Sequence, residues 1–277
     1  MRVAILGMGA IGQHIAHVLD GRAELVAVDR THAPLRAGEA PVDAAVVTTK
    51  TPGTEWAANV ALKVLAADGV ALTLQNGLGN YEVLADRLGH ERVAVGVIYV
   101  GAGFRADGTH YATGAGRIQL ARPEAEGPGA RADSLVELLR AGGTLVEVID
   151  DPWPAVWRKL VANAVMNAPS ALLDASYGEI LGDPAKTLLC DGLARESARV
   201  VTSAGYPVSE QEAMDAWRAI ARAMSEHRSS MHADVAGHRR TEVDAINGAL
   251  VREGDRRGVA APLNQAMTVL VSALDRD

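Results

Sequence analysis

The first half of the chain alternates short apolar runs with stretches of helical spacing. Residues 2–6 form an apolar run that stops at glycine, and residues 11–19 then carry apolar side chains at helical intervals. Further strand-like runs occupy 24–28, 44–47, 70–74, 92–97, 117–120 and 143–148, with helical stretches at 54–67 and 135–141. Strands alternating with helices predict an α/β fold, with a parallel sheet wound on both faces in the Rossmann manner.

The pattern changes near Asp151. From Pro154 onward strand signals almost vanish, and residues 156–173 have helical spacing. Asp183 before Pro184 predicts a helix start, because proline lacks the N–H that a first turn leaves unpaired; that helix should run to about Gly205. Ser209 and Glu212 match a capping box that opens the next helix. Further helices are expected across 214–253 and 262–274. The chain therefore divides into an α/β domain, 1–149, and an all-helical domain, 151–277, meeting in the Asp-Asp-Pro-Trp-Pro stretch at 150–154.

Composition narrows the function classes. The 277 residues are 48% hydrophobic but only 4% aromatic, so the core must be built from Ala, Val, Leu and Ile. A net charge of −7 repels polyanions, so no nucleic-acid partner is expected. No apolar run is long enough to span a bilayer, and the N-terminus enters a strand pattern without a basic lead, so neither membrane association nor a signal peptide is expected. The only cysteine, Cys190, cannot form an intrachain disulfide and is expected to be a small buried residue rather than a reactive thiol. These features fit a cytoplasmic protein. His227, His232 and His238 lack the spacing of a helical zinc pair, so no metal site is expected.

Two constellations carry candidate chemistry. Gly7-Met8-Gly9-Ala10-Ile11-Gly12 is a G-x-G-x-x-G run placed between a strand and a helix. In that setting Gly7 permits a tight turn, Gly9 a close approach of backbone to pyrophosphate, and Gly12 close helix–strand packing. The first domain is thus read as dinucleotide-binding. Asp29 lies 17 residues after Gly12, near where an acid contacts the ribose 2′-OH and favours NAD; the adjacent Arg30 could instead meet a 2′-phosphate. The reading leans to NAD and leaves NADP open. In the second half, Lys159, Asn163 and Asn167 recur at every fourth residue, on one face of a helix whose neighbours Leu160, Val161, Val165 and Met166 are apolar. Polar groups on such a face call for partners, which favours a binding role. Pro169 should end or kink that helix near the site. A second cluster, Ser229, Ser230 and Glu242 with Asp234, His238, Arg239 and Arg240 between them, reads by itself as a polar helix face.

Taken in order, Gly7 to Gly12, Thr48-Thr49-Lys50, Gln75-Asn76-Gly77, Trp157-Arg158-Lys159-Leu160 with Asn163 and Asn167, and Ser229-Ser230-Met231 with the 240–248 stretch resemble the ketopantoate reductase (2-dehydropantoate 2-reductase) family over nearly the whole chain. The resemblance implies reduction of a 2-keto acid to a 2-hydroxy acid, ketopantoate to pantoate or an analogue, as in pantothenate biosynthesis. It implies a reduced nicotinamide cofactor, usually NADPH. It assigns Lys159 as general acid and Glu242 as the acid that orients it. Asn163, Asn167 and Ser230 become substrate-binding residues, and Lys50 and Asn76 cofactor contacts. It further implies that one domain brings the hydride and the other the acid to a substrate between them. His227 stands where the family commonly has a substrate-contacting asparagine, which points to a substrate other than ketopantoate. The 20-residue interval from Arg30 to Lys50 is shorter than usual for the family. An NAD-dependent D-2-hydroxy acid dehydrogenase on the same scaffold is the main alternative, a non-catalytic dinucleotide sensor the other. A homodimer is compatible with each.

Overall fold

The computed structural model describes residues 1–28, 40–105 and 107–275, so Asp29 and Arg30 lie outside the described residues. The chain forms two compact units, Met1–Gln75 with Gly79–Trp153, and Asn76–Leu78 with Pro154–Asp277.

The first unit contains, in chain order, β1 (Arg2–Leu6), α1 (Ala10–Leu19), β2 (Glu24–Val28), β3 (Val42–Val47), α2 (Thr54–Val64), β4 (Leu65–Thr73), α3 (Asn80–Leu88), β5 (Val93–Tyr99), β6 (Ala102–Phe104), β7 (His110–Ala112), β8 (Arg117–Ala121), α4 (Glu126–Ala141) and β9 (Leu145–Val148). Seven strands make one sheet in the order β2-β1-β3-β4-β5-β8-β9. Successive side chains of a strand point to opposite faces, and this chain makes both faces apolar. Val3, Ile5, Ala44, Val46, Val70 and Leu72 pack with Ile15, Val18 and Leu19 of α1 and with Leu135 and Leu139 of α4. Ala4, Leu6, Ala45, Val47 and Ala71 pack with Ala57, Ala61 and Val64 of α2 and with Leu84 and Leu88 of α3. The sheet is therefore doubly wound, as the sequence pattern predicts.

Three expectations need correction. The sheet is not wholly parallel: β8 runs antiparallel to β5, with Val95 opposite Ala121. The helix expected over 54–67 stops at Val64, and β4 begins at Leu65, earlier than the run at 70–74. The strand pattern also overlooks α3 and the antiparallel hairpin of β6 and β7.

The second unit is helical: α5 (Trp153–Leu172, its first residue belonging to the first unit), α6 (Tyr177–Leu181), α7 (Pro184–Ser203), α8 (Glu210–Ala223), α9 (Ser230–Ala236), a π-helical turn at Asp244–Gly248, α10 (Ala249–Arg257) and α11 (Pro262–Ser272). Asp183 caps α7 by accepting from Ala185 and Lys186 N–H, and Ser209 with Glu212 closes both halves of a capping box on α8. The helical stretch expected over 214–253 is broken at 224–229 and again at 237–242. Pro169 does not end α5, which continues to Leu172. Proline removes the N–H that would bond the carbonyl four residues back, at Val165. The thiol of Cys190 donates to that carbonyl at 3.4 Å. Cys190 is fully buried, and burial pushes its pKa up to about 12, so it is a hydrogen-bonding core residue and no nucleophile. Among the described residues no helix is long and apolar enough to cross a membrane.

Candidate active site

The first-unit residues expected to bind the dinucleotide, as far as they are described, gather at the C-terminal ends of β1 and β3. Because β2 lies on one side of β1 and β3 on the other, the strand order reverses at β1/β3. Such a reversal opens a crevice at the strand ends. Gly7 has φ +105°, and a Cβ there would sit 2.7 Å from the Thr49 backbone nitrogen. At Gly12 a Cβ would come within 1.9 Å of the Gly7 carbonyl oxygen. That carbonyl is held by the Thr48 hydroxyl, which donates to it at 2.6 Å. Gly9, in contrast, is exposed, and a Cβ there would meet nothing within 4 Å. Gly7 and Gly12 are thus required by the protein's own packing, whereas Gly9 borders open space. Gly9 is also the N-cap of α1 and offers no side-chain cap, so no side chain caps the first N–H groups of that helix. An uncapped helix N-terminus with a bare glycine in front of it suits a pyrophosphate. This is the fit that a nicotinamide dinucleotide requires. Met8 belongs to the same turn; its carbonyl accepts from Gln13 Nε2 at 3.4 Å.

Lys50 follows β3 and precedes a 3-10 turn at Thr51–Gly53. The neighbouring Thr49 is fixed by Gln75, whose Nε2 donates to the Thr49 carbonyl at 2.9 Å and to the Thr54 hydroxyl at 2.8 Å. The sequence landmarks Thr48, Thr49 and Gln75 therefore shape the turn through hydrogen bonds.

In the second unit Lys159, Asn163 and Asn167 lie along α5, with Lys159 and Asn163 partly covered and Asn167 buried. Lys159 retains some accessible surface, yet the protein packed around its ammonium lowers its pKa from 10.5 to about 8. Burial is the main cause, and the Glu242 carboxylate opposes it by favouring the charged form. Glu242 sits just before the π-helical turn, outside α9, so the expected continuous polar helix face from Ser229 to Glu242 does not exist. Asn76 belongs with it: its Nδ2 donates to Glu242 Oε2 at 3.4 Å. Gly77 (φ +85°) leaves no room for a side chain, since a Cβ would lie 2.4 Å from the Ala245 carbonyl, and Leu78 N–H donates to that carbonyl at 3.3 Å. So the structure brings Lys159, Glu242 and Asn76 together around one charge pair.

Farther along α5 a second group forms. Ser229 Oγ donates to the Asn167 carbonyl at 3.1 Å and accepts from His232 N–H at 3.0 Å, which makes it the N-cap of α9. Ser230, the expected substrate contact, is the exposed first residue of that helix. His227 is half-buried and stacks edge-on against Tyr177, with ring centroids 5.2 Å apart. Burial lowers the His227 pKa, so the imidazole is neutral at pH 7. Tyr177 was not flagged by sequence reasoning. It is tied to Asn167 across a turn, ten residues away, and no helical periodicity signals such a pair.

Comparison with known proteins follows the same division. The family model "Ketopantoate reductase PanE/ApbA" matches residues 30–125, and "Ketopantoate reductase PanE/ApbA C terminal" matches residues 152–275. A 2-dehydropantoate 2-reductase from Halobacterium salinarum is 31% identical over 99% of this chain and 92% of its own length. The solved structure of a ketopantoate reductase from Ralstonia eutropha JMP134 is 26% identical, covers 99% of this chain and 98% of that one, and superposes with a TM-score of 0.84. A D-mandelate dehydrogenase, solved with NADH and anilino(oxo)acetate, shares the fold at a TM-score of 0.87 and 24% identity, over 99% of this chain and 98% of that one.

Proposed function

The chain belongs to the ketopantoate reductase family, and from that premise we propose that it reduces a 2-keto acid, ketopantoate or a close analogue, to the 2-hydroxy acid. The observation that carries the reading is the ammonium of Lys159, enclosed at a pKa of about 8 beside the Glu242 carboxylate.

Reduction of a ketone adds a hydride, a proton with two electrons, to carbon and a proton to oxygen. A reduced nicotinamide dinucleotide supplies the hydride when bound. Gly7, Met8, Gly9, Ala10, Ile11 and Gly12 would hold its pyrophosphate, with Lys50 and Asn76 as further contacts, and Asp29 and Arg30 would choose between NAD and NADP. The remaining work belongs to the helical unit. Lys159 donates the proton to the carbonyl oxygen. A donor whose pKa lies near the working pH is protonated at pH 7 and still parts readily with its proton. Before transfer, the ammonium also stabilises negative charge growing on that oxygen. Glu242 keeps Lys159 charged and holds it in place, and Asn76 steadies Glu242. Asn163, Asn167 and Ser230 offer neutral donors to the carboxylate and hydroxyl of the substrate. His227 in place of a carboxamide alters the room left for the substrate's side chain.

The test is consumption of reduced nicotinamide with ketopantoate and a panel of branched and aromatic 2-keto acids, each with NADH and NADPH. Turnover of at least one keto acid is expected, and it should fall by orders of magnitude in Lys159→Met while dinucleotide affinity is kept. A protein that binds the dinucleotide and reduces no member of the panel would not be this enzyme.

A further inference from the structure

We propose that Tyr177 is a positioning residue for substrate binding: its hydroxyl locks the Asn167 carboxamide with the nitrogen presented to the carboxylate of the keto acid. The inference rests on the reading of Asn167 as a substrate-binding residue and names how that residue is made selective.

Asn167 and Tyr177 are both buried, at 5% and 6% exposure. Tyr177 O–H donates to Asn167 Oδ1 at 3.4 Å. Burial raises the phenol pKa, so the donor keeps its hydrogen at every working pH. The ring itself is fixed from two sides. Tyr177 N–H donates to the His227 carbonyl at 2.9 Å, and the His227 ring packs against its edge. Tyr177 also opens α6 directly after Ser176, whose capping box with Glu179 sets that helix start. On the other side, the Asn167 carbonyl is held by Ser229. Backbone and side-chain oxygen of Asn167 are thus both engaged.

The side-chain nitrogen is not. Among the described residues Asn167 Nδ2 has no acceptor. Nor is it among the fully enclosed polar atoms that lack one, which include Ser197 Oγ and Asn247 Oδ1. It therefore keeps access to a ligand. An amide nitrogen only donates, so its complement is an oxygen bearing no hydrogen, as in a carboxylate. In the reversed orientation the carboxamide oxygen would face the substrate carboxylate, and the phenol hydrogen would lose its only acceptor among the described residues. One hydroxyl thereby decides which end of Asn167 the substrate meets.

The test combines Tyr177→Phe, Asn167→Ala and their double variant with steady-state kinetics and dinucleotide titration. Tyr177→Phe keeps the ring and its packing but leaves Oδ1 unpaired whenever the nitrogen faces the substrate. The KM for the keto acid should rise about tenfold, with kcat within about twofold and NAD(P)H affinity unchanged. In the Asn167→Ala background the same change should alter KM by less than about twofold. Asn167→Asp keeps the acceptor for Tyr177 but puts an anionic oxygen in place of the donating nitrogen, and it should raise KM at least about a hundredfold. An unchanged KM in Tyr177→Phe, a full tenfold effect that persists without Asn167, or wild-type KM in Asn167→Asp overturns the proposal. Lys159→Met is assayed alongside. If it loses turnover while Tyr177→Phe is silent, only this inference fails; if it turns over normally, Lys159 is not the acid; and if the unmodified protein reduces no keto acid, the reductase reading itself fails.

Discussion

Replacing Lys159 with methionine should make the protein more stable and inactive at once. Methionine has a similar length and no charge, so the substitution isolates the ammonium. The fall in pKa from 10.5 to about 8 measures how much the folded protein disfavours the charged form, with the attraction of Glu242 already included. At pH 7 it corresponds to about 3 kcal/mol. The sign follows from linkage. Below pH 8 Lys159 is protonated in both folded and unfolded chains, and the full penalty applies. Between 8 and 10.5 the unfolded chain binds more protons, so the wild type gains stability as pH rises and the penalty shrinks. Above 10.5 neither state carries the charge and the penalty is gone. Lys159→Met should therefore exceed the wild type by about 3 kcal/mol at pH 7, and by roughly half of that at pH 9.5. Urea titrations of both proteins at the two pH values read this directly. A variant no more stable than wild type at pH 7, or a gain that does not shrink at pH 9.5, refutes the reasoning about the buried ammonium. The comparison also shows whether the site is held at the expense of stability, as function commonly requires.

Other outcomes follow from single contacts. Gly9→Ala should leave the melting temperature unchanged, because its Cβ meets nothing within 4 Å, yet weaken NAD(P)H binding at least about tenfold; a thermal melt checks the first and a calorimetric titration the second. Gly12→Ala should instead destabilise the first unit, since its Cβ lands on the Gly7 carbonyl, and thermal melts would show the contrast. Cys190→Val should cost about 1–2 kcal/mol by leaving the Val165 carbonyl unpaired beside Pro169, as read by denaturant titration. The Cys190 thiol of the native protein should resist alkylation at pH 8 and react only on unfolding, which mass spectrometry reports. Ser209→Ala should lower stability by about 1 kcal/mol through loss of the α8 cap.

The parts of the molecule that were legible in the sequence are those whose chemistry is local. Gly7, Gly9 and Gly12 announce a turn at fixed spacing, and Asp183-Pro184 and the Ser209–Glu212 pair announce helix starts whose capping partners lie within a few residues. Lys159, Asn163 and Asn167 stand out because one helix face collects them. What escaped the sequence depends on distant contacts. The run Arg117–Ala121 is strand-like in either direction, and only its pairing with β5 makes it antiparallel. Strands β6 and β7 have three residues each, too short for a period to register. Helix α3 starts at Gly79 in a left-handed conformation (φ +92°) with no capping side chain, so it carries no start signal. Pro169 is expected to end or kink α5; the helix continues past it, and the thiol of Cys190, twenty-five residues from Val165, satisfies the freed carbonyl. Tyr177 gains its meaning from Asn167 and His227, which share no periodic spacing with it. Glu242 and Asn76 are separated by 166 residues; the family resemblance gives each a separate role, and only the fold pairs them.

The central claim is that Lys159 gives the proton, and the pH dependence of kcat/KM for keto acid reduction tests it most directly. In the wild type the rate should hold level below neutrality and fall tenfold per pH unit above a break near 8, where Lys159 loses its proton. In Glu242→Gln the break should move to lower pH, because the carboxylate that favours the ammonium is gone. A profile that stays flat through pH 9.5, or a break that Glu242→Gln leaves in place, contradicts the account.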